Sequence, residues 1–503
     1  MEKKELIKTL DFGQPVAEDE KEKLVSYFVE TDNWRRMYNG EIDVVYGAKG
    51  SGKSAMYALL LSKAKEMEQQ GVHIIPCEDP RGTPVFKQLS ENDSITEVDL
   101  RFLWKLYFLT LTAGFLKNNN NDKFTTRELN SVLKPLYDAQ LLEPDNQHLN
   151  LRTLVKSISD YIKRFRISTD VKINPDGSTT FTPKITVDEP SREQKKKGFI
   201  SVESLLEKTN ELLQKINVKL WLLIDRLDVA FIDSLEMEKK AIRALFRTYL
   251  DFKKYESISL KIFIRDDIWK RITDGGFREA SHITKAISIK WDKDSLLNLI
   301  IFRILDNESI REFCQCNKTV DKLTIDEQRK IFYSIFPDQV EKGRNKPKTL
   351  DWIISRVSDA TENATPREII QLLIKVKENQ LKRLEIGNGH IDSDKLFESV
   401  VFPSALKDVS KIRLEQTIYT EYNDLKKWIE KLEGQKVEQN LDTLSAIWSI
   451  SKNKAEEICK KLVEIGFLKK QFSKEHGIYY YSVPFIYRDA LSMVRGKAFK
   501  AFK

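Results

Sequence analysis

Gly47-Ala48-Lys49-Gly50-Ser51-Gly52-Lys53-Ser54 sets three glycines, two lysines and two hydroxyls into eight consecutive positions. The spacing matches G-x-x-x-x-G-K-[ST] in full. Glycines let the backbone fold so that several N–H groups point at one anion, and a following helix adds its positive N-terminus. The chemistry implied is the gripping of a phosphate chain. Gly47, Ala48, Lys49, Gly50, Ser51, Gly52, Lys53, Ser54 and Ala55 are the expected nucleotide contacts. Lys53 would reach the terminal phosphates as a point charge, and the Ser54 hydroxyl would sit on Mg²⁺.

Such a loop needs a carboxylate at the tip of a neighbouring strand. Leu220-Trp221-Leu222-Leu223-Ile224-Asp225 supplies one, and burial of that strand would put Asp225 where ligands sit in open parallel sheets. Asp225 is expected in the Mg²⁺ shell, and Asp228 is expected to orient or deprotonate the attacking water. Arg265 ends the strand-like run 259–264. It would either touch the γ-phosphate or pair with Asp266 and Asp267. Ala364-Thr365-Pro366-Arg367-Glu368 opens a helix, with proline fixing its first turn. Arg367 would then belong to a lid over the nucleotide, or to a plain capped surface helix. Arg278 is a candidate arginine finger for a neighbouring copy's nucleotide. No N-K-x-D pattern follows the loop at a sensible distance, and Asn453-Lys454-Ala455-Glu456 departs from it, so ATP is favoured over GTP.

The elements that must position these residues can be read from periodicity. IDVVY (42–46), VHIIPCE (72–78), VKLWLLID (218–225), SLKIFIRDD (259–267) and ITKAISIKW (283–291) read as strands. Helical spacing follows Lys53 and recurs at Asp19–Val29, Val98–Leu116, Thr126–Leu141, Met237–Lys254 and from Lys293 to about Leu384. Strands separated by helices imply a parallel sheet with right-handed crossovers. The expected fold is α/β: a P-loop NTPase parallel sheet with a helical insertion, a helical lid and a C-terminal winged-helix domain. The expected division is 1–80 for the N-terminal segment and first half of the core, and 81–210 for the insertion. It continues with 211–292 for the second half of the core, 293–400 for the lid, and 401–503 for a linker and the winged helix. Around Asn174-Pro175-Asp176-Gly177 the pattern alternates as in a hairpin, near 166–187, and the basic run Arg192 to Lys197 reads as a solvated loop.

GAKGSGKS, LLIDRLD, KIFIRDDIW and ATPRE together resemble the AAA+/STAND branch of P-loop ATPases. FGQPVAEDE…YFVETDNW (12–34) is similar to one large bacterial group within it, found as stand-alone ATPases among mobile and defence genes. The likeness covers about 10–80 and 215–385. It implies that Asp225 is the Walker B acid, Asp228 the catalytic acid, Arg265 a first sensor and Arg367 a second. It further implies that residues before the first strand, near Trp34, approach the adenine. Relatives often carry an acidic residue where Val229 follows Asp228. Members commonly form homo-oligomers, which would give Arg278 its purpose, and an antiviral defence role is implied.

Residues 441–450 and 453–465 read as two helices, with GFLKK and GIYYYSVP as a wing. Arg488, Arg495, Lys497, Lys500 and Lys503 form a basic tail suited to phosphate contacts with DNA or RNA; docking on an effector protein is the alternative. The net charge of +8 over 503 residues agrees with a nucleic-acid partner without requiring one. Cys77, Cys314, Cys316 and Cys459 make no CxxC pair, which argues against a zinc site and for reduced thiols. The N-terminus MEKKELIKTLDFG lacks a signal-peptide core, and runs such as Leu296–Ile304 are too short to span a bilayer. A cytoplasmic protein with no membrane contact is expected. The chain is thus expected to be an ATP-hydrolysing machine that remodels or gates a partner. The alternative is a slow-turnover scaffold that holds and releases an effector.

Overall fold

A computed structural model describes residues 3–16, 20, 23, 28–29, 31–77, 96–119, 123–142, 158, 185–225, 235–274, 276–387, 394–474 and 477–499. They divide into two compact units. One gathers Met1–Thr31, Ala48–Ala55 and Ile289–Lys503; the other gathers Asp32–Gly47 and Met56–Ser288.

The second unit is built on a five-stranded sheet. Its strands are β1 (Val44–Gly47), β2 (Val72–Pro76), β3 (Lys219–Ile224), β4 (Ile258–Arg265) and β5 (Ala286–Ile289), in the order β2-β3-β4-β1-β5. The pairs β2–β3, β3–β4 and β4–β1 are parallel. Every residue of β3 after Lys219 is buried, as a continuous apolar run demands of a strand with a neighbour on each side. β1 and β4 lie side by side, yet the chain leaves β1 for β2 at one edge and leaves β4 for β5 at the other. Adjacent strands whose connections leave in opposite directions mark a switch point, the place where ligands sit in open parallel sheets.

The root of β1 is pinned by a buried charge pair. Lys261 Nζ donates to Asp43 Oδ1 at 2.8 Å and to the Ile42 carbonyl at 2.6 Å, while Tyr249 Oη donates to Asp43 Oδ2 at 3.1 Å. Burial pulls the Lys261 ammonium below the ordinary lysine range, against the pull of Asp43. The apolar helix Glu97–Asn118 and the helix Leu235–Phe252 both contribute to the core that includes this sheet. The tryptophan Trp34, in the helix Asp32–Tyr38, is 4% exposed and packs on Tyr38 at 5.7 Å.

The first unit is mostly helical: Lys293–Leu305, Glu308–Phe313, Ile325–Ile335, Thr349–Val357 and Pro366–Glu385 precede a helix over Val401–Arg413. That last helix widens into a π-helical turn at Leu414–Ile418 and resumes at Tyr419–Glu421. The division expected from sequence has a linker there. The chain then forms the helices Leu441–Trp448 and Lys452–Glu464 and a second sheet. Its strands are β6 (Lys436–Gln439), β7 (Lys469–Ser473), β8 (Ile478–Ser482) and β9 (Val494–Lys497), ordered β9-β6-β8-β7.

Several expectations shift. Arg192–Lys196 is not a loop but a short helix, capped reciprocally by Ser191 and Gln194, and it stays exposed. The helix expected to end at Leu116 runs to Asn118. Of the hairpin near 166–187, all but 185–187 lies outside the described residues, and Ile185–Thr186 pairs in parallel with Ile200–Ser201. Most of the helix expected at Asp19–Val29 also lies outside them. Among the described residues, no helix is long and apolar enough to cross a membrane.

Candidate functional site

The Gly47–Ser54 motif lies between a strand and a helix. β1 ends at Gly47, and the helix Lys53–Ser62 begins at the motif lysine. Gly50 and Gly52 take φ of +80° and +99°, a region that L side chains rarely adopt, so glycine is needed at both. Lys53 is 8% exposed, and its Nζ donates across the loop to the Ala48 carbonyl at 2.9 Å. Ser51 Oγ is buried and has no hydrogen-bond partner among the described residues, while the Ser51 carbonyl accepts from Trp291 Nε1 at 2.8 Å. A buried ammonium, an orphaned hydroxyl and two left-handed glycines in one loop fit an incoming phosphate group.

The loop is gripped from the helical side of its own unit. A Cβ placed on Gly50 would lie 2.8 Å from the Arg367 Cβ and 2.8 Å from Thr365 Oγ1. The start of the helix Pro366–Glu385 therefore lies directly against the loop. Arg367 Nε also donates to the Pro15 carbonyl at 3.3 Å. Beside it, Glu368 bonds Thr365 Oγ1 and takes the Arg413 guanidinium at 2.5 Å, with both carboxylate and guanidinium buried. Burial opposes the Arg413 charge, but Glu368, Tyr487 and Asp359 together outweigh it and hold the guanidinium above its ordinary range. Eight residues on from Arg413, past the π turn, Glu421 forms an ion pair with Lys49 of the loop.

In the sheet unit, Gly47 of β1 stands in register with Arg265 of β4. Arg265 pairs with Asp267 at 2.8 Å and is 15% exposed, so the aspartate pairing expected as one alternative is present. Asp225 follows β3 directly and is 6% exposed. Arg278 is exposed, in the 3₁₀ turn Arg278–His282, and forms no ion pair among the described residues. Asp228 and Val229 lie outside the described residues. Sequence reasoning missed Trp291, Glu421 and Arg413. The only sequence hint was the second lysine, Lys49, inside the motif.

No family model matches the chain. Over 487 residues it is 21% identical to a gamma-delta transposon protein of 80.3 kDa from Escherichia coli (strain K12), covering 92% of this chain and 62% of that protein. The chain thus spans less than two thirds of that relative's length. Among solved structures, the Walker-type ATPase of Pyrococcus abyssi aligns over 92% of this chain and 95% of its own, at 10% identity and a TM-score of 0.37. The Aeropyrum pernix ORC1 protein in complex with DNA aligns over 90% and 86%, at 11% identity and a TM-score of 0.34. Drosophila ORC bound to DNA aligns over 94% and 90%, at 9% identity and a TM-score of 0.28.

Proposed function

We propose that this chain binds ATP with Mg²⁺ at Gly47–Ala55 and hydrolyses it, as a P-loop ATPase of AAA+/STAND type. The observation that carries this reading is the loop itself: a parallel strand, two positive-φ glycines, a buried lysine and a helix N-terminus in direct succession. Ser54 and Asp225 are the residues that would hold Mg²⁺, which when bound neutralises charge on the phosphates. Asp228 orients or deprotonates the attacking water. Arg265, next in register to Gly47, and Arg367, against Gly50, are suited to answer to the terminal phosphate. Arg278, exposed on its turn, would serve a neighbouring copy in a homo-oligomer.

The nucleotide cycle then drives assembly or the remodelling of a partner. The two helices 441–448 and 452–464 and the sheet beside them are read as a winged helix that meets DNA, RNA or an effector protein. A cytoplasmic setting among mobile or defence genes is part of the same reading, and the 21% identity to a transposon protein agrees with it.

A second reading, a slow-turnover scaffold, is favoured by one contact. The Lys49–Glu421 pair ties the loop to the helix that leads into the C-terminal sheet, as a device for holding a state would. Steady-state turnover separates the two. A motor should exceed about one ATP per second and respond to its partner, whereas a scaffold should turn over far more slowly and change mass with nucleotide. Lys53→Ala should abolish ATP binding, and unchanged nucleotide affinity would end the ATPase reading. Asp228→Asn should keep binding and slow hydrolysis; normal turnover would place the base elsewhere.

A further inference from the structure

One phenyl ring in the C-terminal part of the chain carries a guanidinium on each face. Arg356, from the helix Thr349–Val357, has its Cζ 3.7 Å from the Phe485 ring centroid, and Arg488 has its Cζ 3.8 Å from the same point. Two planar groups at those distances on one face would overlap, so Phe485 is sandwiched between them. Arg356 is backed by the Trp352 ring at 5.4 Å and reaches Glu341 at 3.4 Å. Arg488 Nε donates to the Val483 carbonyl at 2.7 Å, which fixes the direction of its fork. Arg495, on the exposed strand β9, adds a third positive charge to the same field.

This concentration of charge is only partly offset, by Glu341 on Arg356 and by Glu438 and Asp489 near Arg488. Burial first, then Arg356 and Arg495, pushes the Arg488 guanidinium down to about 10, against the opposing pull of Glu438 and Asp489. Arg356 is shifted down by burial as well. Among the described residues, neither Arg488 nor Arg495 forms an ion pair, and Glu341 shares its charge with Lys346. Like charges held together around an aromatic ring lower the free energy of any anion that reaches them. Stacked guanidiniums also have their planar forks set in advance for tetrahedral oxyanions, so little side-chain entropy is lost on binding.

We propose that Arg356 and Arg488, stacked on Phe485, form with the neighbouring Arg495 a phosphate-binding site separate from the Gly47–Ser54 loop. The ligand class is a phosphate group, borne either by free phosphate or by a nucleic-acid backbone. The inference does not rest on ATP hydrolysis, so its failure and that of the ATPase reading are distinguishable.

The test uses the full chain carrying Lys53→Ala, so that binding at the loop does not contribute. Inorganic phosphate is titrated calorimetrically at constant ionic strength, and a labelled oligothymidylate is titrated across a salt series. Arg488→Gln should weaken at least one of these ligands about tenfold, the scale of one lost charge-assisted hydrogen bond. Arg495→Gln, on an exposed strand that tolerates the change, should weaken the same ligand several-fold. For the oligonucleotide, the log–log salt slope should fall by about 0.7 per phosphate contact removed. Arginine-dependent binding of phosphate alone identifies a free-phosphate site; arginine-dependent binding of the oligonucleotide identifies a backbone site. If neither ligand binds, or neither affinity changes in Arg488→Gln and Arg495→Gln, the sandwich only packs and the proposal is overturned.

Discussion

Gly50 and Arg367 are in contact: the position a Cβ would occupy on Gly50 lies 2.8 Å from the Arg367 Cβ. Backbone-proximal atoms cannot swing aside as a side-chain tip can, so any residue but glycine must push the helix start off the loop. Gly52 offers the contrast, because its nearest neighbour would be Trp291 at 3.9 Å. Gly50→Ala and Gly52→Ala both carry the left-handed strain of about 1–2 kcal/mol, but only the first adds a collision. The nucleotide-free melting temperature should therefore fall further for Gly50→Ala. Equal losses would mean that the helix start at Thr365 does not bear on the loop.

Lys49 and Glu421 set the charge that an arriving phosphate meets. Both are partly buried, at 29% and 18% exposed. With the carboxylate in place the ammonium is partly neutralised. Glu421→Gln should leave Lys49 positive beside the loop and tighten ATP binding several-fold, within the roughly 1 kcal/mol typical of such pairs. The gain should shrink as salt rises. Fluorescent-nucleotide titration at two ionic strengths checks it. A loss of affinity instead would show that the pair orders the loop rather than competing for its charge.

Much of the sheet was legible because its strands are short, largely apolar runs, with β3 unbroken after Lys219, and the loop was legible because its glycines and lysines fall within eight residues. Both signals are local. Glu421 is 372 residues from Lys49, and no local pattern marks a carboxylate that will close such a distance. The π turn at Leu414–Ile418 was equally invisible, since its residues differ little from those of an ordinary helix. At Arg192–Lys197 the run of basic charge suggests a solvated loop, but caps flank it. Ser191 and Gln194 satisfy the first-turn donors, and that makes a helix of a basic run. For Arg265 the sequence offers a phosphate or the neighbouring aspartates as partners, and the structure pairs it with Asp267.

Asp359 meets the turn at Gly466, after the helix Lys452–Glu464, through a carboxyl that burial disfavours as an anion. Its Oδ1 accepts from the Thr361 N–H at 2.9 Å and from Thr361 Oγ1 at 2.6 Å. A Cβ on Gly466 would sit 3.0 Å from its Oδ2, and the Ala360 N–H donates to the Gly466 carbonyl at 2.9 Å. Burial raises the carboxyl above its ordinary value; the Thr361 bonds and Arg413 pull it back, and Glu368 adds to the rise. Tyr487, fully buried, lies in the same field. Because the folded carboxyl holds its proton more tightly than the unfolded one, folding binds protons between the ordinary and the raised value. Stability therefore falls as pH rises through that window and levels off above it. Glu341 acts with the opposite sign and at lower pH. Lys346, then Trp352, holds it at about 2, so its contribution is complete above 4.5 and is lost as pH falls toward 2. Asp359→Asn keeps the shape and removes the titration. Urea midpoints measured from about pH 4 to pH 7 should decline less in the variant than in the parent chain. Parallel curves would assign the pH dependence to other carboxylates and remove Asp359 from the account.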